Sequence, residues 1–535
     1  MLGANPIASN GSIWTVPDVK KRIKDMKARG GKLIVIDPRR TETAELATEH
    51  FFIKPGTDAV FIAAMLNTIL NDNLADTGAL AGFVDGLDEV ASAVASFTPE
   101  MAAEHTGISA DDTRRLAREL AQAPAGICYG RMGVSTQVYG ALCQWLIGVI
   151  NIATGNIDKP GGSMFTLPAV DQIHNTSTGG FGRHRSRVRG LPDIDREIPA
   201  STLADEITTP GEGQVRALFT GAGNPVLSTP NGRQLDSALE QLEFMVSLDP
   251  YINETTRHAD IILPPTSPLE HDHYDIGFHT NAIRNTTRFN EPVFDKPQDS
   301  LHDWEIFTAL GDRVAQAMGL EPRPPRAPHE IIDAGLQVGP YSENRGSEHA
   351  LSLDVLRANP SGIDLGALVP MLPERLFTPD KRINCASPLP MADLHRLHEE
   401  FSQEGDDSLR LIGRRHVRSN NSWMHNYHRL VKGKDRCTLL MHPQDMKKRE
   451  ITDCSAVALR SRDGSVTVQV QQSEDVMPGV VSLQHGYGHN RTGIRMDTAV
   501  ANAGVSCNDV TDELFLDKLS GNAAINGVPV TVASA

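Results

Sequence analysis

The chain carries one pattern of strands and turns twice, and this duplication constrains its fold more than any other feature of its 535 residues. Each copy reads as a short strand, a turn containing Asn-Pro, a helix, a strand ending in Asp-Pro, and a third strand followed by proline. The first copy runs from Gly3 to Asp58 and the second from Gly221 to Pro265. Repetition of this order predicts two α/β units, each with a parallel sheet.

Each copy has the order of a nucleotide half-site. Its turn places backbone N–H groups at a helix start, where they suit a phosphate, and the proline there loses only an N–H without a helical partner. Asp37 and Asp249 end the second strands, at the sheet edge where ligands bind. A carboxylate there can accept two hydrogen bonds from a ribose diol or from the N1–H and amino group of guanine. Asp-Pro also ends strands for structural reasons alone, but the matched order favours the half-site.

The first copy begins inside a strand. Only Met1 and Leu2 precede its turn, and a helix is expected over 16–29, before a buried parallel strand at 32–37. A parallel strand at 32–37 needs a partner, so we expect preceding sequence that has been lost or that lies on another chain.

A nicotinamide or flavin domain is the main alternative. Its fingerprint is Gly-x-Gly-x-x-Gly. Gly221 and Gly223 supply the first two glycines of the second copy, but Val226 stands in the third position. The first copy lacks the second glycine, so a nicotinamide dehydrogenase is the less favoured function.

Composition excludes several classes of protein. The chain has 40% hydrophobic and 22% charged residues and a formal net charge of −16, which argues against a nucleic-acid surface. No apolar run is long enough for a membrane span and no signal peptide opens the chain, so a cytoplasmic location is expected. No two of the six cysteines have CxxC spacing, which predicts reduced core residues rather than a metal site.

Taken together, these residues resemble the molybdopterin oxidoreductases of the dimethyl sulfoxide reductase class, which include formate dehydrogenases and nitrate reductases. Other segments strengthen the resemblance: GRMGVSTQ at 130–137, a helix containing Trp145, TGNIDKPGG at 154–162 and RHADIILP at 257–264. It implies an α/β fold class with two Rossmann-like dinucleotide-binding domains and a C-terminal β-barrel. The implied domains are 1–165 (N-terminally incomplete), 166–400 (with a linker) and 405–535.

The resemblance implies a bis-molybdopterin guanine dinucleotide cofactor with Mo or W, used for two-electron redox of a small substrate of the formate or nitrate type. It assigns to one dinucleotide the residues Gly3, Asn5, Pro6, Asp37, Arg39, Gly56 and Asp58. It assigns to the other dinucleotide Gly223, Asn224, Leu248 and Asp249. Met132 and Gln137 are expected near the pterins, with Asp303 a further contact.

The C-terminal part reads as short strands from Leu409 onward, with a hairpin at Asp463-Gly464. Its opening basic run suits pyrophosphate or pterin oxygens, because guanidinium groups bind such oxygens through two N–H groups; a solvated basic edge strand is the alternative. The candidate cofactor contacts of this part are Gly413, Arg414, Arg415, His416, Asn420, Trp423, Gln484, His485 and Asn508.

Two parts of the family pattern are missing. A cysteine loop for a 4Fe-4S cluster and the protein ligand to the metal are both expected upstream of Met1, so no metal ligand and no catalytic residue is nominated. The resemblance implies that a formate dehydrogenase of this class has an arginine shortly after the turn at 159–162, where it would bind the substrate carboxylate. No arginine follows Gly162 before Arg183, so formate is possible but unsupported as the substrate. We expect the chain alone to be inactive. The alternative is a non-catalytic cofactor-binding fragment completed by a cluster-bearing N-terminal piece or an electron-transfer partner.

Acidic and histidine side chains cluster at Glu270, His271, Asp272 and His273, with His279 nearby. They could form a zinc site or a general base. Their place after the third strand of the second copy favours a solvated loop or a loop at the cofactor's edge.

Overall fold

The computed structural model describes residues 1–9, 11, 15–175, 180–322, 324–401 and 408–535. We call residues 1–175 the first region, residues 180–401 the second region and residues 408–535 the barrel region. The fold is mixed α/β and ends in a closed barrel. The predicted junction between the second and third domains falls mainly at 402–407, outside the described residues.

The first region has a small parallel sheet covered by helices. The strands of the first region are Ile34–Ile36 and Glu49–Phe51, which form this sheet, and Val84–Asp85, which lies outside it. Its helices are Val19–Ala28, Glu42–Leu46, Asp58–Asn71, Leu87–Val94, Pro99–Thr106, Ala110–Gln122, Met132–Ser135, Gly140–Ala153 and Gln172–Asn175, with a 3-10 turn at Gly78–Leu80. Ile34–Ile36 pairs in parallel with Glu49–Phe51, and Leu2 adds parallel bridges to Ile36 and to Gly130. The apolar helix Asp58–Asn71 is buried along almost its whole length and forms the centre of the core.

The helix of the first copy spans Val19–Ala28, close to the predicted range of 16–29. It does not begin at the Asn-Pro turn, where the half-site interpretation expected a helix start. The turn instead makes one helical loop, in which Ser9 N donates to Asn5 O (3.1 Å). Gly11 ends this loop, because its N–H reaches Pro6 O (2.8 Å) and its φ of +66° is open to glycine at little cost. The expected phosphate turn at the start of a long helix is therefore wrong for the first copy.

The second region repeats the strand order of the first. Ala217–Gly221 pairs in parallel with Phe244–Leu248, which pairs in parallel with Ile261–Ile262. Its other strands are Phe181–Arg185, Pro192–Ile194, His273–Tyr274, Asn285–Thr287, Phe289–Asn290, Ile363–Gly366 and Ile383–Asn384. Its helices are Leu203–Thr208, Pro225–Ser228, Gly232–Leu239, Asp303–Ala317, Pro328–Val338, Leu353–Arg357 and Pro388–Phe401, with 3-10 turns at Ala200–Thr202, Thr256–His258, Phe278–Asn281 and Glu343–Arg345. In this copy the proline does begin a helix, since Pro225 is the first residue of Pro225–Ser228.

The end of the second region returns to the first. Ile383–Asn384 pairs in parallel with Val84–Asp85, and Leu394 and Leu397 of the following helix join the core of the first region. Residues 383–401 therefore pack on the first α/β unit, although the predicted division at residue 165 placed them with the second.

The barrel region is a closed six-stranded barrel. Around the barrel the strands run Leu409–Arg414, Val480–Gln484, Thr438–Met441, Ser465–Gln472, Ala456–Arg460 and Val528–Ser534. Its helices are His428–Val431, Pro443–Lys448 and Asp497–Val500, with a 3-10 turn at Cys507–Asp509. The first strand closes the barrel by pairing antiparallel with the last. The predicted hairpin at Asp463-Gly464 is confirmed, with Arg460 opposite Ser465.

All six cysteines are free. Five are buried, as predicted for core residues, and Cys454 is exposed. In the part of the chain that the structure describes, no helix combines the length and the apolar character needed to cross a lipid bilayer.

Candidate functional site

The first Asn-Pro turn is held by three side chains. Asn5 donates through Nδ2 to Glu42 Oε2 (2.7 Å) and accepts at Oδ1 from the Thr43 hydroxyl (2.7 Å). Thr43 Oγ1 in turn accepts the backbone N–H of Ile7 (3.2 Å). The Asn5 side chain thus joins the turn to the segment that follows the second strand.

The second Asn-Pro turn repeats these contacts atom for atom. Asn224 donates to Glu254 Oε2 (2.7 Å) and accepts from Thr255 Oγ1 (2.7 Å), which also accepts the N–H of Val226 (3.1 Å). We call each Asn–Glu–Thr set a turn network. The sequence analysis nominated both asparagines as site residues. It did not nominate the Glu-Thr pairs, although Thr-Glu-Thr at 41–43 and Asn-Glu-Thr at 253–255 are matched segments of the duplication.

The two aspartates that end the second strands are also matched. Asp37 Oδ1 accepts the N–H of Arg39 (2.9 Å), and Asp249 Oδ1 accepts the N–H of Tyr251 (2.8 Å). Burial raises the pKa of Asp37 to about 7, and burial also raises the pKa of Asp249 above its ordinary value. Asn253 adds a hydrogen bond to Asp249 Oδ2 (3.1 Å). Buried carboxylates of this kind are stabilised by further N–H donors, which is the chemistry that a guanine edge offers.

The first turn also packs directly against the loop that carries Met132. A Cβ on Gly3 would lie 2.6 Å from Val134 N, and a Cβ on Gly133 would lie 2.7 Å from the Gly3 Cα. Gly133 N donates to Gly3 O (3.0 Å). Only glycines permit this approach, which leaves the Met132 side chain 58% exposed beside the turn.

Gln137 lies at the base of the same loop. Its Nε2 donates to Asp58 Oδ2 (2.7 Å) and to Gly133 O (2.7 Å). Burial raises the pKa of Asp58 to about 6, and Asp58 is the first residue of the central helix, just after Gly56 with its φ of +90°. The predicted residues Gly3, Gly56, Asp58, Met132 and Gln137 therefore form one neighbourhood.

The barrel region contacts the segments just after both aspartates. Residues 38–40 form backbone hydrogen bonds with residues 475–477, and Arg495 N donates to Ile252 O (2.8 Å). One barrel therefore bridges the carboxyl ends of both parallel sheets, as a cofactor shared between two half-sites requires.

Two asparagines fasten the barrel to these half-sites. Asn526, which the sequence prediction missed, accepts the N–H of Gly413 (3.0 Å) and donates to Thr136 Oγ1 (2.6 Å). Asn508, which was predicted, is buried and donates to Leu227 O (2.7 Å) beside the second turn.

The two arginines that open the barrel region differ in what they contact. Arg414 donates to the carbonyl oxygens of Ser482 (2.8 Å) and Thr438 (2.8 Å), inside the barrel wall. Burial and the charge of Arg39 lower the pKa of Arg414 to about 10. Arg415 contacts Asn421, and burial followed by the charge of Arg131 lowers its pKa.

Two arginines of the first region lie near enough to two arginines of the barrel region to lower their pKa values further. Arg39 and Arg131 from the first region act electrostatically on Arg414 and Arg415 from the barrel. Glu42 lies 3.6 Å from Arg39 and offsets part of this positive charge. A bound pyrophosphate would relieve the remaining repulsion.

The remaining predicted residues of the barrel region lie in two segments, one that follows Arg415 and one at the end of the strand Val480–Gln484. Burial, then the charge of Arg415, lowers the pKa of His485 to about 4. The buried Gln484 Nε2 has no hydrogen-bond partner among the residues that the structure describes. His416 accepts the N–H of Arg418, Asn420 has a φ of +39°, and Trp423 is 48% exposed.

The other predicted residues of the second region fall into two groups. Gly223 precedes Asn224 in the second turn, and Leu248 is the buried end of the second strand. Asp303 instead begins a helix and lies 3.7 Å from His271. None of the contacts recorded for the described residues joins Asp303 to either turn or to the barrel.

The acidic and histidine loop of the second region does not converge on one point. His271 contacts Thr266 (2.5 Å), whereas Asp272 pairs with His329 (3.0 Å). This arrangement agrees with a loop rather than a zinc site.

A separate acidic group in the barrel region brings its carboxylates within 4.8 Å of one another: Asp463, Asp512 and Glu513. Arg462 already bridges all three carboxylates at 2.6–3.0 Å. The guanidinium therefore occupies the place of a cation.

Family models match both halves of the chain. The molybdopterin oxidoreductase model matches residues 3–313, and the molydopterin dinucleotide binding domain model matches residues 409–529.

Curated relatives include redox enzymes. The assimilatory nitrate reductase catalytic subunit of Bacillus subtilis is 28% identical over 319 residues, covering 56% of this chain and 44% of the relative. The F420-dependent formate dehydrogenase 2 subunit alpha of Methanococcus maripaludis is 26% identical over 482 residues (87% and 69%). Formate dehydrogenase H of Escherichia coli is 28% identical over 342 residues (59% and 45%). The matched part thus spans less than half of the first and third of these relatives.

The fold is similar to that of acetylene hydratase from Pelobacter acetylenicus. The two structures superpose with a TM-score of 0.72 over 96% of this chain and 76% of that chain, at 18% sequence identity. At this identity the likeness concerns the fold alone.

Proposed function

Because this chain belongs to the molybdopterin oxidoreductase family, we propose that it binds bis-molybdopterin guanine dinucleotide with Mo or W and acts in two-electron redox of a small substrate of the formate or nitrate type. The observation that carries the proposal is the pair of identical turn networks whose neighbouring strand ends contact one barrel. A cofactor with two dinucleotide arms needs two such sites, one for each arm.

In this proposal each α/β unit holds one guanine end. Asp37 and Asp249 accept hydrogen bonds from the N1–H and amino group of guanine, and the burial that raises their pKa values makes these donors more stabilising. The close packing of Gly3 on Gly133 and Val134 fixes the first turn, and Arg39, Arg131 and Arg415 offset the negative charge of the pyrophosphate.

The bound cofactor supplies the two-electron chemistry, and the chain's own residues bind it, orient it and exclude water. Burial of Asp37 and Asp249 beneath the barrel keeps water from competing for their hydrogen bonds. The names of the relatives support a substrate such as formate or nitrate, and the subunit names of the formate dehydrogenases support an electron-transfer partner.

Cofactor analysis tests the proposal. Protein purified from a host that makes the cofactor is denatured, the released guanine nucleotide is measured by chromatography, and Mo and W are measured by mass spectrometry. We expect guanine and metal in a ratio of about two to one. Intact, folded protein without guanine nucleotide would contradict the proposal.

Paired variants make the test specific. Asp37→Asn and Asp249→Asn each exchange an acceptor oxygen for an N–H donor that faces the guanine edge, so we expect bound guanine to fall several-fold. The control is Asp88→Asn, an exposed aspartate in the first turn of helix Leu87–Val94, and it should keep the wild-type content. Equal content in all three variants would exclude these aspartates from guanine binding.

A further inference from the structure

The two turn networks differ in what holds their glutamates. The Glu42 side chain is 53% exposed and lies 3.6 Å from Arg39, three residues earlier in the chain. The Glu254 side chain is fully buried, and its partner is His489. The first glutamate is thus held locally and the second by a residue 235 positions away.

His489 is itself fully buried, and both of its ring nitrogens are used. Nδ1 lies 2.8 Å from Glu254 Oε1, and Nε2 lies 2.8 Å from His425 Nδ1. The His425 ring packs against Tyr487, with 4.2 Å between ring centroids. The chain of contacts from Asn224 through Glu254 and His489 to His425 therefore crosses from the second region into the barrel region.

Because Glu254 is buried, its contact with His489 is needed to stabilise its carboxylate. A buried carboxylate is strongly destabilised unless hydrogen bonds satisfy it. Asn224 occupies Oε2, so the His489 N–H is the donor recorded for the other oxygen. Without that donor, Glu254 must find another partner, and its place beside Asn224 is no longer fixed.

We infer that His489 is a positioning residue for the second turn: through Glu254 and Asn224 it sets the backbone at 222–229 from the barrel side. The glutamate of the second turn network thus depends on a barrel residue, whereas the glutamate of the first turn network is held within its own region. That the second turn binds a guanine dinucleotide rests on the proposed function. That His489 positions this turn does not.

Two variants of His489 separate its contacts. The amide of Asn lies near the position of Nδ1, so His489→Asn keeps a donor for Glu254. The amide of Gln lies near the position of Nε2, so His489→Gln keeps the contact with His425 and loses Glu254. The two variants are similar in polarity, and a difference between them reports the Glu254 contact.

Hydrogen–deuterium exchange of the full chain reads out the positioning without any activity assay. In His489→Gln we expect the peptide covering 222–229 to exchange roughly ten-fold faster than in the wild type, with barrel strands and residues 3–9 unchanged. In His489→Asn the exchange should stay near the wild-type rate. Arg39→Gln, the matched change in the first copy, should leave 222–229 unaltered.

Equal exchange at 222–229 in the Asn and Gln variants, or faster exchange spread over the whole barrel, would overturn the inference and leave His489 a stabilising core residue. The rate of guanine nucleotide loss on dilution is measured on the same samples, and it should rise in His489→Gln only. Wild-type protein without guanine would count against the proposed function alone, because the exchange result does not depend on the cofactor.

Discussion

The carboxyl group of Asp37 lies at a strand end where burial raises its pKa to about 7. In an unfolded chain an aspartate titrates near about 3.9. The folded state therefore binds this proton more tightly, and ionisation of Asp37 lowers the stability as the pH rises between these two values. The penalty is absent below the unfolded pKa and complete above the folded pKa.

For cofactor-free protein, Asp37→Asn should remove this penalty. We expect its free energy of unfolding to exceed that of the wild type by roughly 2–4 kcal/mol at pH 8 and the difference to narrow toward pH 4. Urea denaturation across this pH range measures it. A difference that does not change with pH would show that Asp37 ionises as easily in the folded chain as in the unfolded one.

The sequence predicts those site residues whose hydrogen-bond partners are near in the chain. Asp37, Asn5 and Asn224 follow from turn and strand-end chemistry that recurs in both copies. His489 does not, since its role depends on Glu254, and no local pattern links residues 235 positions apart.

Among the elements, the repeated strand order and the C-terminal hairpin are predictable because short apolar runs bounded by turns and Asp-Gly turns are local signals. The helix Val19–Ala28 is predicted to within three residues. The expected helix start at the Asn-Pro turn is wrong, because Gly11 ends the loop there after one turn. The close approach of Gly3 to Gly133 is also invisible in sequence, since nothing marks the two glycines as neighbours.

The close packing of the Gly3 turn on the start of the helix Met132–Ser135 leads to a prediction about stability. Gly3→Ala would place a Cβ 2.6–2.8 Å from backbone atoms of Gly133 and Val134, at a φ of +52°. We expect a loss of about 2–4 kcal/mol in the free energy of unfolding, since backbone atoms cannot yield as a side chain can.

The control is Gly148→Ala, in the interior of helix Gly140–Ala153, where a new Cβ meets nothing within 4 Å. It should be neutral or stabilising by about 0.5–1 kcal/mol. Chemical denaturation compares the two variants. Equal stability of Gly3→Ala and the wild type would mean that the turn and the loop separate at little cost.

Over the whole molecule, the barrel region is fastened to the first region by Asn526. Asn526→Ala would remove the acceptor for Gly413 N and the donor to Thr136. We expect a loss of about 1–3 kcal/mol in the free energy of unfolding, because Gly413 N–H is left without its partner. Asn502→Ala, which removes an exposed bond to Thr498 O, should change stability by less than about 0.5 kcal/mol. Similar losses in both variants would argue against a special role for Asn526.

Because the strand Leu409–Arg414 pairs with the strand Val528–Ser534, the barrel can close only after residues 528–534 have been synthesised. While a ribosome is still adding residues before 528, both α/β units are already synthesised, yet the strand that seals the barrel does not exist. We therefore expect the second turn network to gain its histidine tether in final form only after the strand Val528–Ser534 has been added. The first turn network needs only side chains between Asn5 and Thr43, so the two networks become complete at different stages of synthesis.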